Sequence, residues 1–330
     1  MRAVVAARAG GPDVLVCHEM PDPAPGPGEL LLDVVAAGVN RADLLQRAGS
    51  YPPPPGAPDW PGLEVSGVVA ALGDGVAGPQ AGGWAVGDRV AALLAGGGYA
   101  SRVTVPAGHV LPVPDGTDLV DAAGLPEAVC TAWSNLVDVG RLRAGEVVLV
   151  QGGSGGVGSV AVQLAAALGA RVLATAGGPE RAARCEELGA ALGIDHRAGL
   201  FTRVVQDATA GRGVDLVLDV LGAGALADNL GALATDGRLV VIGLQRGRRA
   251  EIDLGQLLTK RLSVAGTTLR SRPSAEKTAL VAAVREHVWP MLADGRVRPV
   301  VHARLPLERA ADAHRLLDSG EVFGKVLLTT

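Results

Sequence analysis

The sequence predicts an α/β protein in which a doubly wound parallel sheet is joined to a compact, partly open β-barrel, and three observations carry that expectation. The first is the apolar run Val147-Val148-Leu149-Val150, which leads into Gln151-Gly152-Gly153-Ser154-Gly155-Gly156-Val157-Gly158. Gly153, Gly155 and Gly158 keep the G-x-G-x-x-G spacing. Glycine is needed there for the turn, for backbone approach to a pyrophosphate, and for packing helix on strand. A chain with 47 glycines makes a chance match easy, so the context decides. That context is the second observation: Val157, Val160, Ala161, Leu164, Ala165 and Leu168 form one helical stripe closed by Gly169, and Arg171 to Ala176 supplies the next strand. The third is a change of texture near residue 121, from short β-rich runs to alternating strand and helix.

Taken in order, the first part is punctuated by Gly and Pro and broken into strands at Leu30 to Ala36, Gly67 to Leu72, Arg89 to Leu94 and Ser101 to Val105. Arg41 to Arg47 is its one clear helical segment. A helix is expected around Ala122 to Val139, ahead of the strand and glycine turn. Val214 to Asp219 is a strand, Ala223 to Ala234 a helix, Arg238 to Ile242 a strand, and Leu262 to Thr268 the last strand of the sheet. Short connections make a parallel doubly wound sheet the economical arrangement. Ser274 to Ala293 reads as one long helix with Ser274 as its cap. Residues 297–330 return to strand, helix (Leu307 to Leu317) and strand (Lys325 to Thr329). The expected domains are therefore 1–120 with 292–330, and 121–291.

Composition narrows the function. With 48% hydrophobic and 19% charged residues the 330-residue chain falls among soluble globular proteins. A net charge of −4 without long basic runs gives no phosphate-backbone footprint, so nucleic acid is not an expected partner. No stretch reaches the ~18 apolar residues that span a bilayer, so no membrane is expected. Cys17, Cys130 and Cys185 are too few and scattered for a disulfide framework, which fits a reducing cytoplasm. His18, His109, His287, His302 and His314 show no metal spacing.

The order of parts, together with particular stretches, resembles the medium-chain dehydrogenase/reductase superfamily over the whole chain. Those stretches are Gly38-Val39-Asn40-Arg41-Ala42-Asp43, Gly49-Ser50-Tyr51-Pro52-Pro53-Pro54, Gly62-Leu63-Glu64-Val65-Ser66-Gly67, Val86-Gly87-Asp88-Arg89-Val90, Thr131-Ala132-Trp133 and Gly324-Lys325-Val326. The resemblance implies a GroES-like barrel carrying the catalytic groups and a Rossmann domain carrying the cofactor. Within the superfamily the chain is similar to the zinc-free, zeta-crystallin-like quinone oxidoreductases. Leu269-Arg270-Ser271-Arg272 and Asn40 to Leu44 point to the group of the stress-inducible, apoptosis-associated quinone oxidoreductase. Where the family's alcohol dehydrogenases hold catalytic zinc with Cys and His, this chain has Asn40 and Leu63, neither of which replaces a thiolate or imidazole. No cysteine lies between Cys17 and Cys130, so the structural-zinc lobe is missing as well. Metal-free hydride transfer from nicotinamide is the chemistry implied.

The same resemblance assigns candidate residues, each with a plainer alternative. Asn40 matches the residue near the nicotinamide ribose, or is a turn residue opening the next helix. Asp43 matches an acid of the same pocket and fits equally a first-turn carboxylate stabilised by the helix dipole. Tyr51 matches the tyrosine over the substrate cleft, where a phenol stabilises charge developing on a quinone oxygen; alternatively it packs the Pro52 to Pro55 turn. Leu45 stands where some relatives carry another tyrosine. Thr131 matches a contact to the carboxamide, or back-bonds to its own helix. Ser154, Gly156 and Val157 belong to the phosphate turn, and Thr175 and Gly177 end the second strand. Gly222, Gly243 and Leu244 end later strands at the carboxyl edge, where open sheets place ligands. Arg270 and Lys325 either reach cofactor phosphate or anchor the domain junction, and Leu269 is expected among the cofactor contacts.

The cofactor expected is NADPH. An NAD site wants an acid about 20 residues past the glycine motif, yet the second strand closes with Thr175-Ala176-Gly177-Gly178. Arg181 matches a family position that is basic in NADPH users, and His196 falls where they carry a tyrosine near the same phosphate. The activity implied is reduction of a quinone or related electron-poor carbonyl compound. The alternatives are an enoyl or 2-alkenal reductase, and an NADPH-binding structural or RNA-binding protein with little turnover. A homodimer is expected because Leu262-Ser263-Val264-Ala265-Gly266-Thr267 would otherwise be an unprotected edge.

Overall fold

The structure, a computed structural model, describes residues 1–76 and 83–330. By packing it resolves into two units: Met1–Cys130 with Leu269–Ala293 and Pro299–Thr330, and Thr131–Thr268 with Asp294–Arg298.

In the first unit β1 (Arg2–Ala6) pairs antiparallel with β2 (Leu15–Glu19). The barrel is built around β3 (Glu29–Val39), which is buried at Leu30 to Leu32, at Val34 and from Ala36 to Val39, with Asp33 exposed. After it come α1 (Arg41–Arg47), β4 (Glu64–Leu72), β5 (Arg89–Leu93), β6 (Arg102–Pro106) and β7 (Val110–Pro112). Register shifts between Leu31 and Leu32 and between Val34 and Ala36 mark irregularities in the β3–β4 ladder. Such bulges bend a strand, and β3 pairs with β4 and also with β6. Leu30, Leu32, Val65, Val90, Val103 and Val105 meet in the barrel core.

The helix expected over Ala122 to Val139 is three pieces: α2 (Leu119–Ala122), α3 (Pro126–Trp133) and a π-helical turn at Ser134–Val139. Pro126, which lacks an N–H, starts a new helix instead of continuing one, and the last turn closes with Gly140 N donating to Asn135 O.

The second unit alternates β8 (Val147–Val150), α4 (Gly156–Ala167), β9 (Arg171–Ala176), α5 (Pro179–Glu187), β10 (Leu192–Asp195), α6 (Phe201–Ala208), β11 (Val214–Asp219), α7 (Leu226–Ala232), β12 (Leu233–Val241), α8 (Leu254–Lys260) and β13 (Ser263–Gly266). Spatial order is β10-β9-β8-β11-β12-β13, every pairing parallel. In the unit's own count this is 3-2-1-4-5-6, the Rossmann order, whose switch point lies between β8 and β11. The four residues of β8 are all buried, as both faces of a parallel sheet require.

The chain then returns to the first unit through α9 (Ser274–His287), α10 (Trp289–Ala293), β14 (Val301–Pro306), α11 (Ala310–Asp318) and β15 (Lys325–Thr329). β15 lies between β14, to which it is parallel, and β3, to which it is antiparallel. Three expectations differ here. The long helix breaks at Val288, before the Pro290 that cannot donate to a continuing ladder. Residues 269–291, expected with the nucleotide domain, pack on the barrel: His109 Nε2 lies 3.1 Å from Ser274 O, and Trp289 Nε1 donates to Pro112 O. Nor does Ser274 cap α9. It is the first helical residue, after Pro273, and its hydroxyl lies 3.1 Å from His109 Nε2.

Gly158 illustrates what the glycine turn demands: a Cβ there would stand 2.0 Å from Gly152 O. Gly158→Ala is therefore expected to destabilise by about 1–3 kcal/mol and to abolish nucleotide binding. Gly231→Ala, where a Cβ meets nothing within 4 Å, should be neutral or stabilise by about 0.4–1 kcal/mol. Urea midpoints of the two variants check this; equal shifts would show that the close approach is not what the turn needs.

Candidate active site

Inside the first unit, polar groups from five elements converge. Asn40, extended at φ −121° and ψ 152°, stands at the N-cap of α1 directly after β3. Its amide is held on both sides: Nδ2 donates to Glu64 Oε1 at 2.9 Å, and Oδ1 accepts from Lys325 Nζ at 2.8 Å. Lys325 also pairs with Glu64, and both side chains are buried. Gly38 makes the room, since a Cβ there would collide with the Glu64 carboxylate. Glu64 Oε2 accepts the Glu127 N–H at 2.9 Å, so its charge also ends the exposed amides at the start of α3.

Asp43, expected among the catalytic groups, is fully buried and fully engaged. Oδ2 accepts from Asn40 N at 2.8 Å and from Tyr99 OH at 3.3 Å, and Oδ1 accepts from Gly62 N at 3.0 Å. It positions Asn40 from behind, and burial raises its carboxyl to about 6 against those bonds and the Lys325 and Arg270 charges. Behind it the bond directions are forced. An arginine only donates, so Arg47 Nη1, 3.3 Å from His314 Nδ1, makes that nitrogen the acceptor. His314 Nε2 then carries the proton and donates to Tyr99 OH at 3.0 Å, which leaves the Tyr99 proton for Asp43. Burial and Arg47 push His314 down to about 3, keeping it neutral in this chain of bonds.

Tyr51 lies in the loop after α1, half-buried, with the Arg270 guanidinium 5.4 Å from its ring centre. Burial raises its phenol above the ordinary value, against Arg270. Arg270 is itself buried and tied to the barrel by Ala95 O at 2.7 Å and Gln46 Oε1 at 2.8 Å. Leu269 is buried beside it in sequence. Lys325 and Arg270 are thus committed to the interior of the first unit.

The second unit presents the glycine turn expected to hold a nucleotide. Gly152 takes φ +70°, Gly155 is the N-cap of α4, and Gly156, Val157 and Gly158 form its first turn. Gly153 packs flat, since a Cβ would meet Ala174 Cβ at 2.8 Å. Ser154 is partly exposed at the turn. Thr175 works from below: it is buried, accepts from Gly152 N at 3.0 Å and donates to Gln151 Oε1 at 2.7 Å, while Gln151 donates to Asn229. Free amides at a helix N-terminus behind a close-packed glycine turn fit a dinucleotide pyrophosphate. At the end of β9, a Cβ on Gly177 would lie 3.3 Å from Arg181 Nη2 and 3.1 Å from Arg197 Nε, so two guanidiniums flank that backbone. Exposed His196 follows β10, with its N–H on Ala176 O. Gly222 and Gly243 follow β11 and β12 by three and two residues, Gly222 N donating to buried Asp219, while Leu244 is exposed. Thr131 is partly buried in α3, where its carbonyl accepts from Asn135 Nδ2.

Sequence reading did not single out Glu64, Glu127, Tyr99, His314, Arg47 or Arg197 as site residues. A charged residue entering an otherwise apolar strand was the available signal for Glu64. The others depend on partners far away in the chain.

Two family models match, Alcohol dehydrogenase GroES-like domain over residues 26–115 and Zinc-binding dehydrogenase over residues 156–285. The Quinone oxidoreductase of Rattus norvegicus is 33% identical over 331 residues, covering 99% of this chain and 97% of that one. The chain belongs to the quinone oxidoreductase family of the medium-chain dehydrogenase/reductase superfamily. It is an oxidoreductase by that membership. Mycocerosic acid synthase-like polyketide synthase of Mycobacterium tuberculosis is 35% identical over 306 residues, which is 92% of this chain and 14% of that protein. Escherichia coli quinone oxidoreductase complexed with NADPH superposes with a TM-score of 0.89 at 28% identity, covering 100% of both chains. The second family description names zinc, and the residues here do not fit it. Asn40 is occupied by Glu64 and Lys325, Leu63 is an apolar buried residue, and no group of three His, Cys, Asp or Glu is gathered for a metal among the described residues.

Lys325→Met would leave the Glu64 carboxylate buried without its cation, and should cost about 3–5 kcal/mol. The double change Glu64→Gln/Lys325→Met should recover most of that loss. Urea unfolding of the two single variants and the double variant checks it; purely additive losses would mean the two groups are uncoupled.

Proposed function

We propose that this chain is an NADPH-dependent reductase that delivers hydride to quinones without a metal. The observation that carries the reading is the Asn40 amide, clamped by Lys325 and Glu64 where the zinc-dependent relatives place a metal ligand. The full-length likeness to quinone oxidoreductases supports the substrate class. Bound NADPH would supply hydride. The glycine turn of residues 152–158 would hold its pyrophosphate, and Arg181 and Arg197 beside Gly177 its 2′-phosphate. Tyr51 would orient a quinone oxygen by hydrogen bond and stabilise charge developing there. A second reading, reduction of an activated C=C bond, is supported by the match of 92% of this chain to part of a polyketide synthase.

Loss of absorbance at 340 nm on adding 1,4-benzoquinone, 1,2-naphthoquinone or a 2-alkenal separates these readings. Oxidation with the quinones and not the alkenal is expected, and no oxidation with any acceptor would sink both. A charge-assisted bond to the 2′-phosphate is worth about 1.5–3 kcal/mol, so Arg181→Ala should weaken NADPH roughly tenfold to a hundredfold and hardly touch NADH. Equal losses for the two cofactors would move the phosphate site elsewhere.

We also propose that β13 pairs with its own copy across a two-fold axis. It is the edge of the six-stranded sheet, Val264 on it is exposed, and so are Leu254 and Leu258 of α8. A dimer mass by light scattering at micromolar concentration is expected; a monomer would overturn the pairing.

A further inference from the structure

Three acids meet inside the first unit, and two of them are fully used. Asp43 accepts from Asn40, Gly62 and Tyr99, and Glu64 from Lys325, Asn40 and the Glu127 N–H. Glu127 differs. It is the second residue of α3, keeps partial exposure, and its carboxyl takes no ion pair or hydrogen bond among the described residues.

A glutamate in a first helical turn is ordinarily a carboxylate stabilised by the amides there. Here Glu64 already accepts the Glu127 N–H at 2.9 Å, so the positive end of α3 is taken by another anion and a charge on Glu127 would stand beside it. Burial and Glu64 together raise the Glu127 carboxyl to about 8, so it carries a proton at neutral pH. The groups around it are Glu64 from β4, Lys325 from β15, Asp43 from α1 and Lys277 from α9, with Tyr51 and Arg270 from the flanking segments and Cys130 on its own helix. The Tyr51 phenol, itself raised by burial, is a weaker acid than this carboxyl.

We propose that Glu127 is the proton donor of the reaction, the acid that completes reduction of the quinone oxygen. This rests on the quinone reading above. The electron pair reaches the quinone as hydride, leaving one product oxygen as a phenolate. The Glu127 O–H bond breaks as the hydroquinone O–H bond forms, and the carboxylate takes a proton back from water, which its partial exposure admits. The sum is quinone, NADPH and one proton giving hydroquinone and NADP⁺.

Glu127→Gln keeps the size and the neutral form of the side chain. With 1,4-naphthoquinone its kcat should fall about a hundredfold with little change in KM. The wild-type decline of kcat as pH rises through about 8 should be absent from the variant. A second readout needs no turnover. With the folded carboxyl at about 8 and the unfolded one near the ordinary 4.5, the unfolded chain releases a proton that the folded chain keeps. Wild-type stability should therefore fall, relative to the variant, as pH rises from about 4.5 to about 8, and level off outside that window. Thermal unfolding of wild type and variant across that range measures it. An unchanged kcat–pH profile in the variant, or a Tm difference that does not depend on pH, overturns the proposal while wild type stays active. A wild type that oxidises NADPH with no quinone fails the quinone reading itself, and this inference with it.

Discussion

The structure of the first unit depends on one buried ion pair. Lys325 and Glu64 are withdrawn from water together, and a desolvated charge is tolerable only if its partner is fixed and its remaining hydrogen-bonding capacity is met. Asn40 meets it by offering an oxygen to the cation and a nitrogen to the anion. Because Lys325 begins β15, Glu64 begins β4 and Asn40 follows β3, the pair joins three strand ends and the start of α3 at one point. An amide held from two sides has little freedom left to lose, which is the condition for orientation to count in a rate.

A second layer holds the first. Arg47, His314, Tyr99 and Asp43 form a directional series of hydrogen bonds that ends on the Asn40 backbone N–H and the Gly62 N–H. Each member has a role fixed by its neighbour: the arginine cannot accept, so the histidine tautomer is set, and so on to the carboxylate. Polar side chains buried this deeply are costly when unsatisfied. Their satisfaction explains why a segment as irregular as residues 48–63 has a defined position beside α1.

Much of the fold was legible because local patterns coincide with tertiary demands. The apolar run at 147–150, the glycine turn and the stripe on α4 specify a strand, a phosphate turn and a helix without reference to the rest of the chain. Asn40, Tyr51 and Arg181 were found by resemblance, and Asn40 does stand in the polar cluster. Glu64, Glu127, Tyr99 and His314 escaped because their meaning lies in partners up to 267 residues away. No periodicity encodes a contact at that separation. Arg197 was hidden for another reason: it reaches Gly177 only through the pairing of β9 with β10. The helix breaks at 123–126 and 288 were missed because the apolar pattern continues across them while the proline-bearing backbone does not.

The position of β15 also bears on how the protein comes into being. It is an inner strand of the barrel sheet, wedged between β14 and β3, and it brings Lys325 to an asparagine 285 residues earlier in the chain. A growing chain therefore completes the local β8-to-β13 unit first, while the Ala36–Val39 end of β3 lacks its β15 neighbour and Glu64 lacks its cation. Closing so long a loop is slow compared with forming local contacts. During synthesis the barrel is the part exposed to mispairing, and its completion is simultaneous with assembly of the Asn40, Glu64 and Lys325 cluster. A truncated product ending before β15 would carry an intact Rossmann unit and a half-made barrel.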